Sequence, residues 1–260
     1  MPNSRGLEII PNLFTLLNLV FGCLAIIFIL QNGIAIMNTG TNNQFIDMPE
    51  KIWLASLFIG LAAVIDFVDG FVARLFKATS EMGKQLDSLA DLVSFGVAPG
   101  LIIYQFLRMS YAQQEDGLTV SLSMLLPALL LPCAAAWRLA KFNLDNSQSY
   151  SFKGLPTPSA GIFVGSFPVI YWNVNEQWVL QLLLNKMFLY GVVLVLSFLM
   201  ISNLPLMSLK FKSYGVAANW PKYLLAILSL AALVLLKWLA IPVIILTYVL
   251  LSLLIKSKTT

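Results

Sequence analysis

The sequence predicts an all-α, polytopic integral membrane protein of about eight transmembrane helices, and three observations carry that expectation. Of the 260 residues, 59% are hydrophobic and only 11% charged, where a soluble domain carries about 25% charged residues. The mean hydropathy is +0.84. Apolar segments of spanning length, about 20 residues each, recur at 9–31, 53–75, 84–107, 119–142, 158–174, 186–208, 221–237 and 238–255.

Each segment has its own signals. Met1 to Gly6 is polar and the first apolar run is already long enough to span, so this helix is expected to stay as an anchor rather than be cleaved. The mixed run Leu7-Glu8-Ile9-Ile10 before Pro11 places residues 1–10 along the inner interface. The second and third segments carry aspartates, and the fourth ends at Arg138 and Lys141. Gly154-Leu155-Pro156-Thr157-Pro158 has the chemistry of a rigid turn that opens the fifth. Only Lys237 to Pro242 separates the final pair, which leaves seven spans open as well. The polar stretches 38–52, 108–118, 143–157 and 209–222 read as loops within one membrane domain, 1–260.

With the N-terminus in the cytoplasm, Arg5, Arg74, Lys77, Lys84, Arg138, Lys141, Lys153, Lys210, Lys212, Lys222, Lys256 and Lys258 fall inside. Lys51, Arg108, Lys186 and Lys237 fall outside. That bias predicts cytoplasmic termini and explains the net charge of +4 without a nucleic-acid partner. Cys23 and Cys133 read as small packing residues, with no disulfide or thiolate framework. Histidine is absent, so acid–base or metal chemistry must come from carboxylates.

Asp66, Asp69, Asp87 and Asp91 lie inside apolar sequence. One carboxylate in mid-membrane costs roughly 2.5–3.5 kcal/mol, so four facing lipid would cost on the order of 10 kcal/mol. They must face each other, a cavity or metal ions. At about 100° per residue, Asp66, Asp69, Gly70 and Ala73 form one stripe, and Gly83, Asp87, Asp91 and Ser94 a second. A short connection, 76–82, makes the two helices antiparallel neighbours whose stripes face each other.

Four converging carboxylates need compensating cations. All-oxygen ligation favours Mg²⁺, Mn²⁺ or Ca²⁺, and paired ions can clamp both ends of a phosphoryl displacement. The pattern suggests chemistry on a diphosphate, with Gly70, Ala73 and Gly83 leaving room for a ligand to approach. Two other readings remain open: aspartates paired with Arg74, Lys77 and Lys84 at helix ends, and a divalent-cation transporter. A transporter predicts further ionisable groups toward the outer leaflet, where only Arg108 and Lys186 stand near helix ends.

The spacing Asp66-x2-Asp69-Gly70-x2-Ala73-Arg74-x8-Gly83-x3-Asp87-x3-Asp91 resembles the signature of the CDP-alcohol phosphatidyltransferases at every specified position. Pro11-Asn12-x2-Thr15-x2-Asn18-x3-Gly22 is similar to that family's first-helix motif. The blocks Asp87 to Pro99, Arg138-Leu-Ala-Lys141-Phe142-Asn143 and Gly154 to Pro158 resemble its membrane-embedded phosphatidylserine synthase branch. Lys141 is a departure, since arginine is common there; lysine keeps the charge and loses the bidentate fork.

The resemblance implies a catalytic core at about 8–210 with extra C-terminal helices at about 221–255. It implies transfer of a phosphatidyl group from CDP-diacylglycerol to L-serine, with release of CMP. A sibling acting on glycerol 3-phosphate or inositol phosphate is the alternative within the family; the few inner arginines, Arg5, Arg74 and Arg138, favour serine. Asp66, Asp69, Asp87 and Asp91 are implied to bind metal, Mn²⁺ or Mg²⁺ as two ions, with Asp91 also the general base. Gly70, Ala73, Arg74 and Gly83 would border the CDP-lipid, with Thr15 and Asn18 either reaching the nucleotide or bonding between helices. Ser94, Arg138 and Lys141 are candidates for substrate phosphate or serine. The resemblance further implies a homodimer in a bacterial inner membrane.

Overall fold

The periodicity of the first helix fixes how the bundle begins. In α1 (Ile9–Leu30) the buried positions are Pro11, Thr15, Asn18, Gly22, Ala25 and Ile29, alternately four and three residues apart. That is a heptad-like seam of small and polar residues. A matching seam of Ile52, Ala55, Ile59, Ala62 and Asp69 runs along α2 (Trp53–Leu75) and the turn before it. The helices pack antiparallel, with Phe28 stacked on Phe58 at 5.4 Å between ring centroids. This computed structural model describes residues 9–31, 35–39, 43–47, 51–75, 80–113, 120–144, 152–207 and 215–255.

Between α1 and α2, β1 (Ala35–Thr39) pairs antiparallel with β2 (Asn43–Asp47), Met37 opposite Phe45. The polar stretch 38–52 expected to be a plain loop therefore holds part of a hairpin. The interfacial segment expected at 1–10 falls largely outside the described residues, as does most of the connection 76–82.

Ser80 caps α3 (Glu81–Asp91) by accepting a hydrogen bond from the Gly83 amide at 3.1 Å. The helix passes without a break into a π-helical turn, Leu92–Val97, and then α4 (Ala98–Ala112). α5 (Leu122–Leu125), a 3₁₀ turn (Leu126–Leu129) and α6 (Leu130–Leu144) return. Three glycines let these elements close. A methyl on Gly22 would collide with Ser94 Oγ, one on Gly96 would lie 2.9 Å from Ala135 Cβ, and one on Gly161 2.7 Å from Phe95 Cα.

The second half is more broken. α7 (Thr157–Gly165) and α8 (Phe167–Asn173) meet at Ser166, where Pro168 starts a new helix. α9 (Gln177–Leu183) and α10 (Lys186–Ile201) bend by 63°, with the Asn185 side chain capping α10. β3 (Phe152–Lys153) pairs with β4 (Pro205–Leu206). α11 (Val216–Leu236) reaches α12 (Ala240–Leu254) through a 3₁₀ turn at Lys237, whose φ is +50°.

The expectation of eight spans does not hold. Among the described residues five helical stretches are long and apolar enough to cross a membrane: Pro11–Leu30, Trp53–Ala73, Glu81–Ala112, Leu122–Leu144 and Asn219–Leu254. There are six if the bent pair α9–α10 counts as one. The segment read at 158–174 is two short helices of 9 and 7 residues. The one read at 186–208 stays helical only to Ile201, and the two read at 221–237 and 238–255 run within one stretch. Hydropathy sums side chains and does not register a proline or a cap that interrupts the backbone ladder. The polytopic, predominantly α-helical class stands. Many large apolar side chains, Phe67, Leu194 and Val234 among them, point outward. Cys23 and Cys133 are free and also on that exterior rather than in packing.

Candidate active site

α1 packs against both α2 and α3, while α2 and α3 have little direct backbone contact. The two aspartate-bearing helices therefore splay, and a cavity of about 150 Å³ opens between them. α1 supplies Pro11, Asn12 and Thr15 to its wall, α2 supplies Asp66, Asp69, Gly70 and Ala73, and Ser80, Gly83, Lys84 and Asp87 complete it. The facing stripes thus meet across a cleft rather than along a packed helix pair, with α1 as their common neighbour.

Carboxylate oxygens of Asp66, Asp87 and Asp91 lie within 4.8 Å of one another. Three hard oxygen donors at this separation fit a divalent cation of the Mg²⁺ or Mn²⁺ kind. Asp69 stands outside that trio and takes a hydrogen bond from the Thr15 hydroxyl, which also lies 3.2 Å from the Pro11 carbonyl. Asp91, one turn beyond Asp87, is 7% exposed and accepts from Asn18 Nδ2 at 3.2 Å. Ser94 in the π turn donates to the Asn18 carbonyl at 3.1 Å. A π turn directly after Asp91 is the kind of local irregularity that often marks functional sites.

Arg138, 7% exposed near the end of α6, is an electrostatic neighbour of Asp91. Its Nη1 donates to Thr157 Oγ1 at 3.2 Å, and its Nε has no partner among the described residues. Lys141 instead donates to Asn203 Oδ1 at 2.6 Å, beyond the end of α10. Lys84 pairs with Glu81 at 2.8 Å. Arg74 lies on α2 one residue beyond Ala73, with its side chain outside the described part.

The motif Gly154-Leu-Pro-Thr-Pro158 meets the site through Arg138. Gly154 has φ +75°, and its amide and that of Leu155 donate to the carbonyls of Leu204 and Leu199, both at 2.9 Å. This turn docks on the C-terminal end of α10 and delivers Thr157 to Arg138. Sequence reasoning assigned no site role to Asn12, Ser80 or Thr157. The clues were present: Asn12 sits inside the first-helix motif, Ser80 precedes Glu81 as an N-cap, and Thr157 lies between two prolines. A larger, apolar cavity of about 570 Å³ runs along the first half of α2 beside Trp53, Trp172 and Trp238, and none of the aspartates lines it.

A helical membrane bundle with a cation-competent trio of aspartates on facing helices defines a class of carboxylate-lined membrane enzymes. The sequence profile of the CDP-alcohol phosphatidyltransferases matches residues 8–199, and the chain belongs to that family. It is therefore a transferase acting in lipid biosynthesis. It is 32% identical over 200 residues to the CDP-diacylglycerol–serine O-phosphatidyltransferase of Helicobacter pylori (strain J99), covering 76% of this chain and 71% of that one. Its namesake from Mycobacterium leprae is 31% identical over 259 residues, 95% of this chain and 75% of the relative. That of Bacillus subtilis is 35% identical over 153 residues, 59% and 71%.

Proposed function

We propose that this chain transfers the phosphatidyl group of CDP-diacylglycerol to the hydroxyl of L-serine, releasing CMP, with Mg²⁺ or Mn²⁺ held by the aspartates. The observation that carries the reading is the convergence of Asp66, Asp87 and Asp91 beside a cleft between two splayed helices. The relatives from Helicobacter pylori and Mycobacterium leprae are CDP-diacylglycerol–serine O-phosphatidyltransferases, which supports serine as acceptor.

Asp66, Asp87 and Asp91 would hold one ion, and Asp69 would join the shell of a second. Bound there, such ions supply charge neutralisation of the diphosphate and of its transition state. The cleft has room for the diphosphate. Gly70, Ala73, Gly83 and Thr15 border it, and Arg74 follows on the same helix as Gly70. Asp91 accepts the proton of the serine hydroxyl, for which a base must stand within about 2.6–3.2 Å directly or through one water. The serine oxygen forms a bond to the lipid-side phosphorus while the bond from that phosphorus to the bridging oxygen breaks. CMP leaves with the electron pair. Arg138, whose buried Nε has no partner among the described residues, receives the serine carboxylate. Lys84, Arg138 and Lys141 at the aspartate end support a cytoplasmic orientation of that end through the positive-inside rule.

The test is CMP release by purified protein in detergent with CDP-diacylglycerol and Mn²⁺ or Mg²⁺, comparing L-serine, glycerol 3-phosphate and inositol phosphate. Serine-dependent, chelator-sensitive release is the expected result. Release with only a phosphorylated acceptor keeps the family chemistry and removes serine.

A further inference from the structure

The buried side-chain polar atoms without a partner among the described residues include Asn18 Oδ1 and Arg138 Nε, and both belong to neighbours of Asp91. Asn18 is 1% exposed. Its Nδ2 is committed to Asp91 at 3.2 Å, and its backbone carbonyl takes the Ser94 hydroxyl at 3.1 Å. The amide oxygen is thereby left as an acceptor with nothing to accept. Buried acceptors are satisfied in the great majority of cases, so an orphan beside a reacting carboxylate points to a ligand donor.

The cleft wall takes Asn12 and Thr15 from α1 and stops short of Asn18, which sits beside the deeper Asp91. The orphans are opposite in kind: Asn18 offers an acceptor and Arg138 a donor. A ligand matching both, with a hydroxyl for Asp91, carries a donor for Asn18, an acceptor for Arg138 and a hydroxyl. On the serine reading, the zwitterion supplies all three, and its ammonium is the donor.

We infer that Asn18 Oδ1 binds the ammonium group of the amino-acid acceptor, making Asn18 a specificity-determining residue beside Asp91. The inference rests on the serine reading above and names the residue that reads the ammonium. One side chain then does two things: Nδ2 orients Asp91, and Oδ1 selects for the amine.

The experiment compares L-serine with 3-hydroxypropanoate, which keeps hydroxyl and carboxylate and lacks only the ammonium. Both are assayed as acceptors, and as competitors by binding, on the full chain with CDP-diacylglycerol and Mn²⁺. In the wild type, loss of the ammonium is expected to weaken binding by about tenfold or more, the worth of a hydrogen bond to a charged group. In Asn18→Ala the two compounds are expected to bind within about twofold of each other. If Asn18 only orients Asp91, the variant lowers turnover with both acceptors and leaves the wild-type gap intact, which overturns the inference. Should Asn18→Ala not fold, Asn18→Ser keeps a donor for Asp91 without the carbonyl and is read in the same way. Equal binding of the two compounds by the wild type also overturns it. No CMP release with serine from wild-type protein that binds the CDP-lipid removes the serine reading itself, a result distinct from an unchanged gap in active enzyme.

Discussion

Arg138 Nη1 donates to Thr157 Oγ1 at 3.2 Å, so a buried guanidinium near the end of α6 is oriented by the first residue of α7. The two residues are 19 positions apart and come from blocks separated by a polar loop. Thr157 acts through Arg138, and its removal should misplace the guanidinium without touching the aspartates. Thr157→Val is expected to raise the KM for serine about tenfold with kcat changed far less, the loss of one hydrogen bond to a charged group. Thr157→Ser should restore it. Equal falls in kcat and kcat/KM, with no rescue by serine, would show a general packing defect instead.

Asp91 and Asp66 should separate chemistry from metal binding. Asp91→Asn is expected to lower turnover by about 100-fold or more for a lost general base, while the amide oxygen that stays beside the ion makes CDP-lipid binding fall less than in Asp66→Ala. Asp66→Ala should weaken Mn²⁺ binding, measured by titration calorimetry or paramagnetic resonance, and weaken CDP-lipid binding with it. Activity retained in folded Asp91→Asn would end the base assignment; unchanged metal affinity in Asp66→Ala would end the ligand assignment.

Gly70 distinguishes folding from substrate access. A methyl added there meets no atom within 4 Å, and the residue lines the cleft. Gly70→Ala should therefore be neutral or stabilising by up to about 1 kcal/mol, as in other helix interiors. It should at the same time raise the KM for CDP-diacylglycerol. A large fall in thermal stability in detergent, or an unchanged KM, would contradict this.

Gly154 is the opposite case. Its φ of +75° and a Cβ that would stand 2.7 Å from the Ser202 carbonyl oxygen leave no room for a side chain. Gly154→Ala should cost at least about 1–3 kcal/mol from backbone strain alone, seen as a lower Tm. Because the same turn presents Thr157, the loss in activity should appear first in the KM for serine. A variant as stable as the wild type would mean that the turn is not held as described.

The membrane class and the aspartate stripes could be read from the chain because both depend on composition and local periodicity. Apolar runs announce helices, and a spacing of three or four places Asp66 with Asp69, and Asp87 with Asp91, on single faces. The number of spans could not be read that way. Ser166 and Asn185 break or bend helices inside apolar sequence, and Lys237 sits within a single stretch, outcomes set by caps and by packing against neighbours.

The cleft also depended on relationships that no local pattern contains. The stripes implied a directly packed helix pair; the structure inserts α1 as the shared neighbour, through a seam of small and polar residues that includes Gly22 against Ser94. Asp69 turns to Thr15 and Asp91 to Asn18. The sequence by itself determined which residues carry charge into the membrane, because burying a carboxylate there is too costly to be incidental. Tertiary structure alone decided which aspartates converge, which are held by α1, and which polar atoms stay unpaired. Those outcomes turn on contacts between helices distant in the chain, where an ångström of approach separates a hydrogen bond from an orphan.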